Sequence, residues 1–394
     1  MAIKYLDKVN LQGKRAIIRV DYNVPYDKEM NITDDTRITA TLPTVKYCIE
    51  KGAKLVLISH LGRPDGKVVP KMSLRPVAKR LSELLKKDVR FIDTPIGDSV
   101  KSIINGLKEG EIVLLENIRF YPEEEKNDDG FGKLLASLGD VFINDAFAAA
   151  HRGHASNEAI TRHIAESAAG FLLENEIEYF NKAMKNPTPP TAAIVGGVKI
   201  STKINVLKNI LDRVNYLIIG GGMSYTFFKA MGYNIGKSIF EENHLSTAKE
   251  IIDLAKKNNV ELVLPVDIVV APDLDSADKK KAVPADSIPS DMEGVDIGPK
   301  TIDRFKEIIN KSKTIVWNGP LGAFENPAFA VGTNAIAKIV AESKCLSVIG
   351  GGDSVSALNQ SGYADRMSYI STGGGAFLEM LEGKTLPAIA ALDR

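Results

Sequence analysis

Four arginines and five glycine turns carry most of the chemistry this sequence can do. Arg37, Arg63, Arg119 and Arg152 all fall in its first half. A guanidinium presents a planar fork of donors that fits carboxylate and phosphate oxygens, so several arginines converging imply a small polyanion. His60, His151 and His154 stand among them. Read as a metal centre, His151-Arg152-Gly153-His154 lacks a third ligand at a workable spacing and contains an arginine, so structural or anion-contacting histidines are expected. The glycines lie in the second half: Gly196-Gly197, Gly220 to Gly222, Gly319, Gly350 to Gly352 and Gly373 to Gly375. Small residues between a strand and a helix let backbone N–H groups approach an anion. One such turn is often required by the backbone alone, but five in one half point to a large phosphorylated ligand.

The stretch VIGGGDSVSAL, from Val348 to Leu358, puts Asp353 where a phosphate-binding loop would put lysine. Two readings are open. The carboxylate could hold the Mg²⁺ that travels with a nucleoside triphosphate, or it could cap the helix that follows. Lysines appear instead in GGVKISTKI. With a helix beginning near Ile200, Lys199 lies just before it and Lys203 one turn on, both within reach of the same phosphates. None of the turns is a Walker A loop; Gly232 to Ser238 is one residue short and follows a helical pattern. GGGMSY and GGGDSV lack the second spaced glycine of a dinucleotide fingerprint. There is no Ser-His-Asp nucleophile elbow, no His-Glu-x-x-His and no protein-kinase catalytic loop. A carboxylate phosphoryl acceptor is already ionised at pH 7, with a pKa of about 4, and needs no base. Transfer to a carboxylate by positioning and charge neutralisation fits this inventory.

The elements that must position these residues alternate strand and helix, the grammar of parallel α/β sheets. Strands are predicted at AIIRV, LVLIS, VRFI, IVLLE and VFIN, then at AAIV, YLIIG, ELVLP, TIVWN, LSVIG and SYIS. Ligands of open α/β sheets bind at the carboxyl ends of strands. Those ends hold Asp21, Asn23, His60, Arg63, Asn117, Arg119 and Asp145 in the first half and glycine in the second. In FLLENEIEYFNKAMKN, Leu173, Ile177, Phe180 and Met184 share one helix face, and the helix must stop near Pro187. Domains are therefore expected at 1–172 and 187–379, joined by a helix over 173–186, with a tail over 380–394 apolar enough to pack on something. Two domains also suit 394 residues. Trp317, the sole tryptophan, is expected in a core. Net charge is +0, from 50 basic and 50 acidic side chains, which argues against a nucleic-acid binder running on bulk electrostatics. The N-terminus has no apolar signal core and no stretch approaches a membrane span. Cys48 and Cys345 stand far apart, so a reducing cytoplasm is expected.

Ten blocks in order resemble the phosphoglycerate kinase family: RVDYNVP (19–25), ISHLGRP (58–64), ENIRFYPEEEKND (116–128), NDAFAAAHRGHAS (144–156), GGVKISTKI (196–204), GGGMSYTF (220–227), EGVDIGP (293–299), WNGPLGAFE (317–325), GGGDSVSA (350–357) and STGGGAFLE (371–379). The resemblance covers essentially the whole chain. It implies two Rossmann-like parallel-sheet domains joined by a helix and hinge, with the tail returning to the N-terminal domain. It implies reversible phosphoryl transfer between ATP and the carboxylate of 3-phosphoglycerate, giving ADP and 1,3-bisphosphoglycerate, by a monomer. The glycerate would be held at Asp21, Asn23, Arg37, His60, Leu61, Gly62, Arg63, Arg119 and Arg152. The nucleotide would lie at Lys203, Gly220, Gly221, Gly294, Asn318, Glu325, Gly351, Gly352, Asp353 and Ser354, with Asp353 a Mg²⁺ ligand. Arg37, Lys199 and Lys203, with amides near Gly373 and Gly374, would neutralise the transferring group. Tyr22 replaces the family's usual Phe, Val198 and Thr202 stand where Ala and Asp are commoner, Ala148 replaces a common Gly, and Ala323 replaces a common Val. Two rivals remain, a kinase for another carboxylate and a silent binding protein on the same fold.

Overall fold

The computed structural model describes residues 3–393. Six strands form the first sheet: β1 (Arg15–Val20), β2 (Lys54–Ile58), β3 (Val89–Ile92), β4 (Ile112–Leu115), β5 (Val141–Asp145) and β6 (Ser167–Ala169). Every pairing is parallel and the order is β3-β4-β2-β1-β5-β6. Such strands are buried on both faces, which is why they read as nearly unbroken apolar runs. Period two divides them: Ala16, Ile18 and Val20 pack with Leu55 and Leu57 against Ile38 and Val45 of the helix Thr36–Glu50 and Val77 and Leu81 of the helix Arg75–Leu85.

The second sheet repeats that plan. In chain order the remaining strands are β7 (Thr191–Val195), β8 (Tyr216–Ile219), β9 (Asn234–Ile235), β10 (Glu261–Val263), β11 (Asp267–Ala271), β12 (Lys281–Pro284), β13 (Ser287–Ile288), β14 (Glu293–Ile297), β15 (Thr314–Asn318), β16 (Leu346–Ile349) and β17 (Tyr369–Ile370). The parallel sheet runs β10-β8-β7-β15-β16-β17. Trp317 sits in its core with Ile194, Ile315, Phe305 and Ile336. In both sheets the chain starts in the middle, builds outward to one side and then switches to the other. The switch points, where ligands of such sheets bind, lie between β1 and β5 and between β7 and β15.

Sequence patterning missed three things. An antiparallel trio β12-β11-β14 occupies the stretch after Pro265, and β13 there pairs with the earlier β9; strands of two to five residues with exposed positions leave little periodicity. The helix expected from Ile200 starts at Ile204 instead. Ile200 to Lys203 form a turn, because Glu241 takes both the Ser201 N–H and hydroxyl, at 2.9 and 2.6 Å. β6, three residues long, was not read at all.

The chain divides into two compact units. One runs up to Ile177 and takes back the chain from Thr385; the other is Glu178–Lys384. The passage falls inside the helix Phe171–Phe180, which continues as a π-helical turn, Asn181–Lys185. Leu173, Ile177, Phe180 and Met184 are all buried. The tail therefore begins at Thr385 and not at 380: the helix Gly374–Leu381 stays with the second unit, where Asn209 Nδ2 donates to Leu381 O at 2.8 Å.

Candidate active site

In the first unit, residues at three strand ends knit together. Asp21, just past β1, accepts from Arg37 Nη1 at 2.6 Å and from the Asn23 N–H at 3.1 Å. Asn23 Oδ1 accepts from the Gly62 N–H at 2.9 Å, and Gly62 O accepts from Arg119 Nη1 at 2.7 Å. The buried amide of Asn117 organises the far side: Oδ1 accepts from Leu61 N at 3.2 Å and Arg119 N at 3.1 Å, while Nδ2 donates to Leu61 O and Met72 O. A continuous chain of contacts thus runs from Arg37 to Arg119. Burial alone would raise the Asp21 carboxyl, but His60, Arg37 and the Asn23 N–H outweigh it and hold it below the ordinary carboxylate range.

Positive charge is crowded here beyond what the protein itself compensates. Burial first, then the charge of Arg152, pulls the Arg119 guanidinium down to about 10. Burial and the neighbouring arginines hold His60 well below the ordinary histidine range despite Asp21, and push His154 down to about 3. Arg19 Nη2 lies 3.2 Å from His60 Nδ1. A guanidinium only donates, so Nδ1 accepts and Nε2 keeps the proton. Arg119 is 2% exposed, yet its Nη2 has no hydrogen-bond partner among the described residues. A buried donor left unpaired is costly, so such an atom marks a place for an anion.

The pattern of residue types missed the floor of this site. Arg19 is fully buried; its Nε donates to Ser156 Oγ at 2.7 Å, and Ser156 gives both its hydroxyl and its N–H to the buried Glu124, at 2.6 and 2.8 Å. The one available signal was an arginine inside the apolar strand AIIRV. Arg152 stays half-buried, with Nε 3.2 Å from His151 Nε2. Arg63 is exposed and joins none of these hydrogen bonds.

In the second unit the backbone does the corresponding work. Asn318, at the end of β15, is the hub: Lys203 Nζ donates to its Oδ1 and, at 3.2 Å, to its carbonyl, and its Nδ2 donates to Gly350 O at 2.7 Å. The Gly196 N–H donates to Asn318 O at 2.9 Å and that of Gly319 to Ser354 Oγ at 2.6 Å. Burial pulls Lys203 down to about 8, against the opposing pull of Asp353. Asp353 caps nothing. The helix Gly352–Ser361 has Gly351 at its N-cap, in a left-handed conformation (φ 103°) that favours glycine, and Asp353 stands exposed in the first turn. The N-cap reading is thereby overturned.

The glycines divide into two groups. A Cβ at Gly196, Gly220 or Gly350 would strike Pro320, Leu321 or Phe377, and one at Gly294 the Tyr225 ring, so these four let parts of the unit pack on each other. The Gly221 N–H donates to Leu321 O at 3.1 Å, which places it in the same packing. Gly352 and Gly374 face open space, where a ligand can approach. Gly373 is the N-cap of Gly374–Leu381. Lys199 and Glu325 are exposed. No group of three or more His, Cys, Asp or Glu among the described residues could hold a metal alone.

The family model for phosphoglycerate kinase matches residues 6–384. The chain belongs to the phosphoglycerate kinase family. It is 51% identical over 394 residues to phosphoglycerate kinase of Citrifermentans bemidjiense, covering 100% of this chain and 99% of that one. To that of Syntrophobacter fumaroxidans it is 51% identical over 391 residues, covering 99% and 98%. Among solved structures it resembles phosphoglycerate kinase from Coxiella burnetii, with a TM-score of 0.93 at 43% identity over 100% and 99% of the two chains. The Pyrococcus horikoshii phosphoglycerate kinase gives 0.83 at 32% identity over 99% and 98%. Against the family's usual Phe, the Tyr22 hydroxyl finds a place: it lies 3.0 Å from Thr41 Oγ1, which itself donates to Ile38 O, so the phenol is the donor.

Proposed function

We propose that the chain transfers a phosphoryl group reversibly between ATP and the carboxylate of 3-phosphoglycerate, giving ADP and 1,3-bisphosphoglycerate, as a glycolytic kinase. Family membership along the whole chain supports the reaction. The observation that carries the acceptor assignment is the unpaired, buried Nη2 of Arg119 beside Arg152 and His60. On this reading Asp21, Asn23, Arg37, His60, Leu61, Gly62, Arg63, Arg119 and Arg152 hold the phosphoglycerate. Neutral His60 offers its Nε2–H, and Asp21 keeps Arg37 in place.

The nucleotide is assigned to Lys203, Gly220, Gly221, Gly294, Asn318, Glu325, Gly351, Gly352, Asp353 and Ser354. An exposed carboxylate with no capping duty, and no metal cluster around it, suits a Mg²⁺ that brings its other ligands as phosphate oxygens and water. The metal supplies neutralisation of phosphate charge. Arg37 and Lys199 meet the moving group, and the N–H groups at Gly373 and Gly374 face its developing charge. Donor and acceptor must meet in line, so turnover requires the two units to approach and shut out water, which would hydrolyse the acyl phosphate. No helix among the described residues is long and apolar enough to cross a membrane. Two free cysteines fit a reducing cytoplasm, where we assign a monomer.

The test is ADP formation from ATP and Mg²⁺, with and without 3-phosphoglycerate, trapping the acyl phosphate by coupled reduction. Turnover that needs both the phosphoglycerate and the metal is expected. A preference for unphosphorylated glycerate would favour a different carboxylate kinase, and nucleotide binding without turnover a silent binding protein.

A further inference from the structure

Lys199 and Lys203 stand four residues apart, and on one continuous helix such a pair shares a face, one side chain a turn beyond the other. The structure sends them different ways. Lys203 folds inward, its Nζ donating to Asn318 Oδ1 and, at 3.2 Å, to Asn318 O. Lys199 stays exposed. Between them lies the turn over 200–203, and one acid holds it off the helix. Glu241 Oε2 accepts from the Ser201 N–H at 2.9 Å and Oε1 from the Ser201 hydroxyl at 2.6 Å, so one residue takes both carboxylate oxygens. The Thr202 hydroxyl donates to Lys199 O and the Lys203 N–H to Ile200 O, each at 2.9 Å, which closes the turn. Helix begins only at Ile204, with Lys203 as its N-cap.

Glu241 is itself anchored. Its N–H donates to Thr226 Oγ1 at 3.1 Å. Thr226 is buried in the helix Met223–Ala230, whose first N–H donates to Gly197 O at 3.0 Å. At Gly222, the N-cap of that helix, an added Cβ would meet Val198 O at 3.1 Å and Ile239 Cγ2 at 3.2 Å. The segment that carries Glu241 and the chain entering the turn thus flank one glycine. Burial would raise the Glu241 carboxyl, but the hydroxyl and N–H of Ser201 hold it below the ordinary carboxylate range, and an ionised carboxylate accepts at both oxygens.

We infer that Glu241 is a positioning residue for phosphoryl transfer: by fixing this turn it separates the two lysines, leaving Lys203 to the nucleotide phosphates and Lys199 to the moving group. The inference rests on the phosphoryl-transfer reading. An ammonium on a flexible four-carbon stem is aimed only as well as the backbone beneath it is held. Without Glu241 the helix is free to extend back through Ser201, which returns Lys199 to the side of Lys203. Lys203 keeps Asn318 in either case, so the fault falls on transfer and not on nucleotide binding.

The test uses the full chain with Glu241→Ala, Glu241→Gln and Lys199→Ala. Glu241→Ala is expected to lower kcat about 10- to 100-fold, as misplacement of a reacting group does, with KM for ATP and 3-phosphoglycerate within about threefold. Glu241→Gln keeps an oxygen for the Ser201 N–H and offers its NH₂ to the Ser201 hydroxyl, and recovers most of the loss. The deciding readout is the double variant. Because Glu241 acts through Lys199, adding Glu241→Ala to Lys199→Ala lowers kcat by less than about twofold more, whereas independent effects multiply. Should Glu241→Ala fail to fold, Ser201→Ala removes the hydroxyl donor and must show a smaller loss of kcat with the same failure to multiply. Wild-type kcat in Glu241→Ala, a loss confined to KM, or losses that multiply in the double variant would overturn the inference. A wild-type chain that does not turn over 3-phosphoglycerate would overturn the reading beneath it.

Discussion

The loops after β4 and after β15 solve one problem in two ways. In each, a buried asparagine is the hub that fixes a basic side chain at the carboxyl end of a parallel sheet: Asn117 for Arg119, Asn318 for Lys203. Around Asn117 the surroundings are other charged and polar side chains, with Arg19, His60 and Glu124 buried. Around Asn318 they are glycine backbones. The first arrangement gathers charge that only an anion can compensate, and its arginine stays charged at any working pH. The second leaves most of the binding to backbone N–H groups, and burial pulls its lysine down to about 8. A small polyanion needs the first and a long polyphosphate chain, with a metal of its own, needs the second.

The comparison breaks most visibly at Arg37. Arg37→Ala is expected to lower kcat about 100- to 1000-fold while the nucleotide KM moves by no more than about threefold, the pattern of a donor that acts on developing charge. An equal loss in both would make it a ground-state contact. The glycine half is probed by a matched pair. Gly350→Ala drives a Cβ onto Phe377 and should cost about 1–3 kcal/mol in urea unfolding. Gly352→Ala has open space and should keep its stability, yet weaken nucleotide binding about tenfold, because the added methyl holds phosphate oxygens away from the backbone N–H. If the two variants behave alike, the division of glycines by contact is wrong.

The smallest effect separates the two basic side chains by pH. With Lys203 at about 8 in the free protein, phosphate oxygens that bind it must raise that value. Affinity is then full below pH 8 and falls as pH rises above it, about tenfold between pH 7 and 9. Isothermal titration in buffers of different ionisation enthalpy should show proton uptake near pH 8, lost in Lys203→Met. A flat profile would remove Lys203 from the phosphate site.

Much of the arginine half was readable because residue type alone announces it: Asp21, Asn23, His60 and Arg119 are polar groups at the ends of apolar strands. Arg19 was not singled out, since a charge inside AIIRV has its partner more than a hundred residues away, at Ser156, and Asp145 was placed at a strand end without its partners, which lie in a helix start yet to be placed. The glycine half was readable as a set of positions but not as functions. Whether Gly196 admits a ligand or the Pro320 carbonyl depends on a neighbouring loop that no local pattern encodes. The late start of the helix at Ile204 has the same origin, because Glu241, forty residues on, claims Ser201. Asp353 was the reverse case: family resemblance chose between two local readings, and the helix boundary at Gly351 then excluded one of them.

The returning tail gives this molecule an order of assembly. The Ala388 N–H donates to Ala150 O at 3.1 Å, Pro387 lies beside Gly153, and Leu386, Ala388 and Leu392 are buried. They brace the segment that bears His151, Arg152 and His154. A ribosome must make residues 178–384 in between, which at roughly 5–20 residues per second takes on the order of 10–40 s. Throughout that interval every arginine of the anion site has already been synthesised, and the ledge under Arg152 has not. In a nascent chain the segment bearing His151, Arg152 and His154 thus lacks this brace until the residues from Thr385 have emerged.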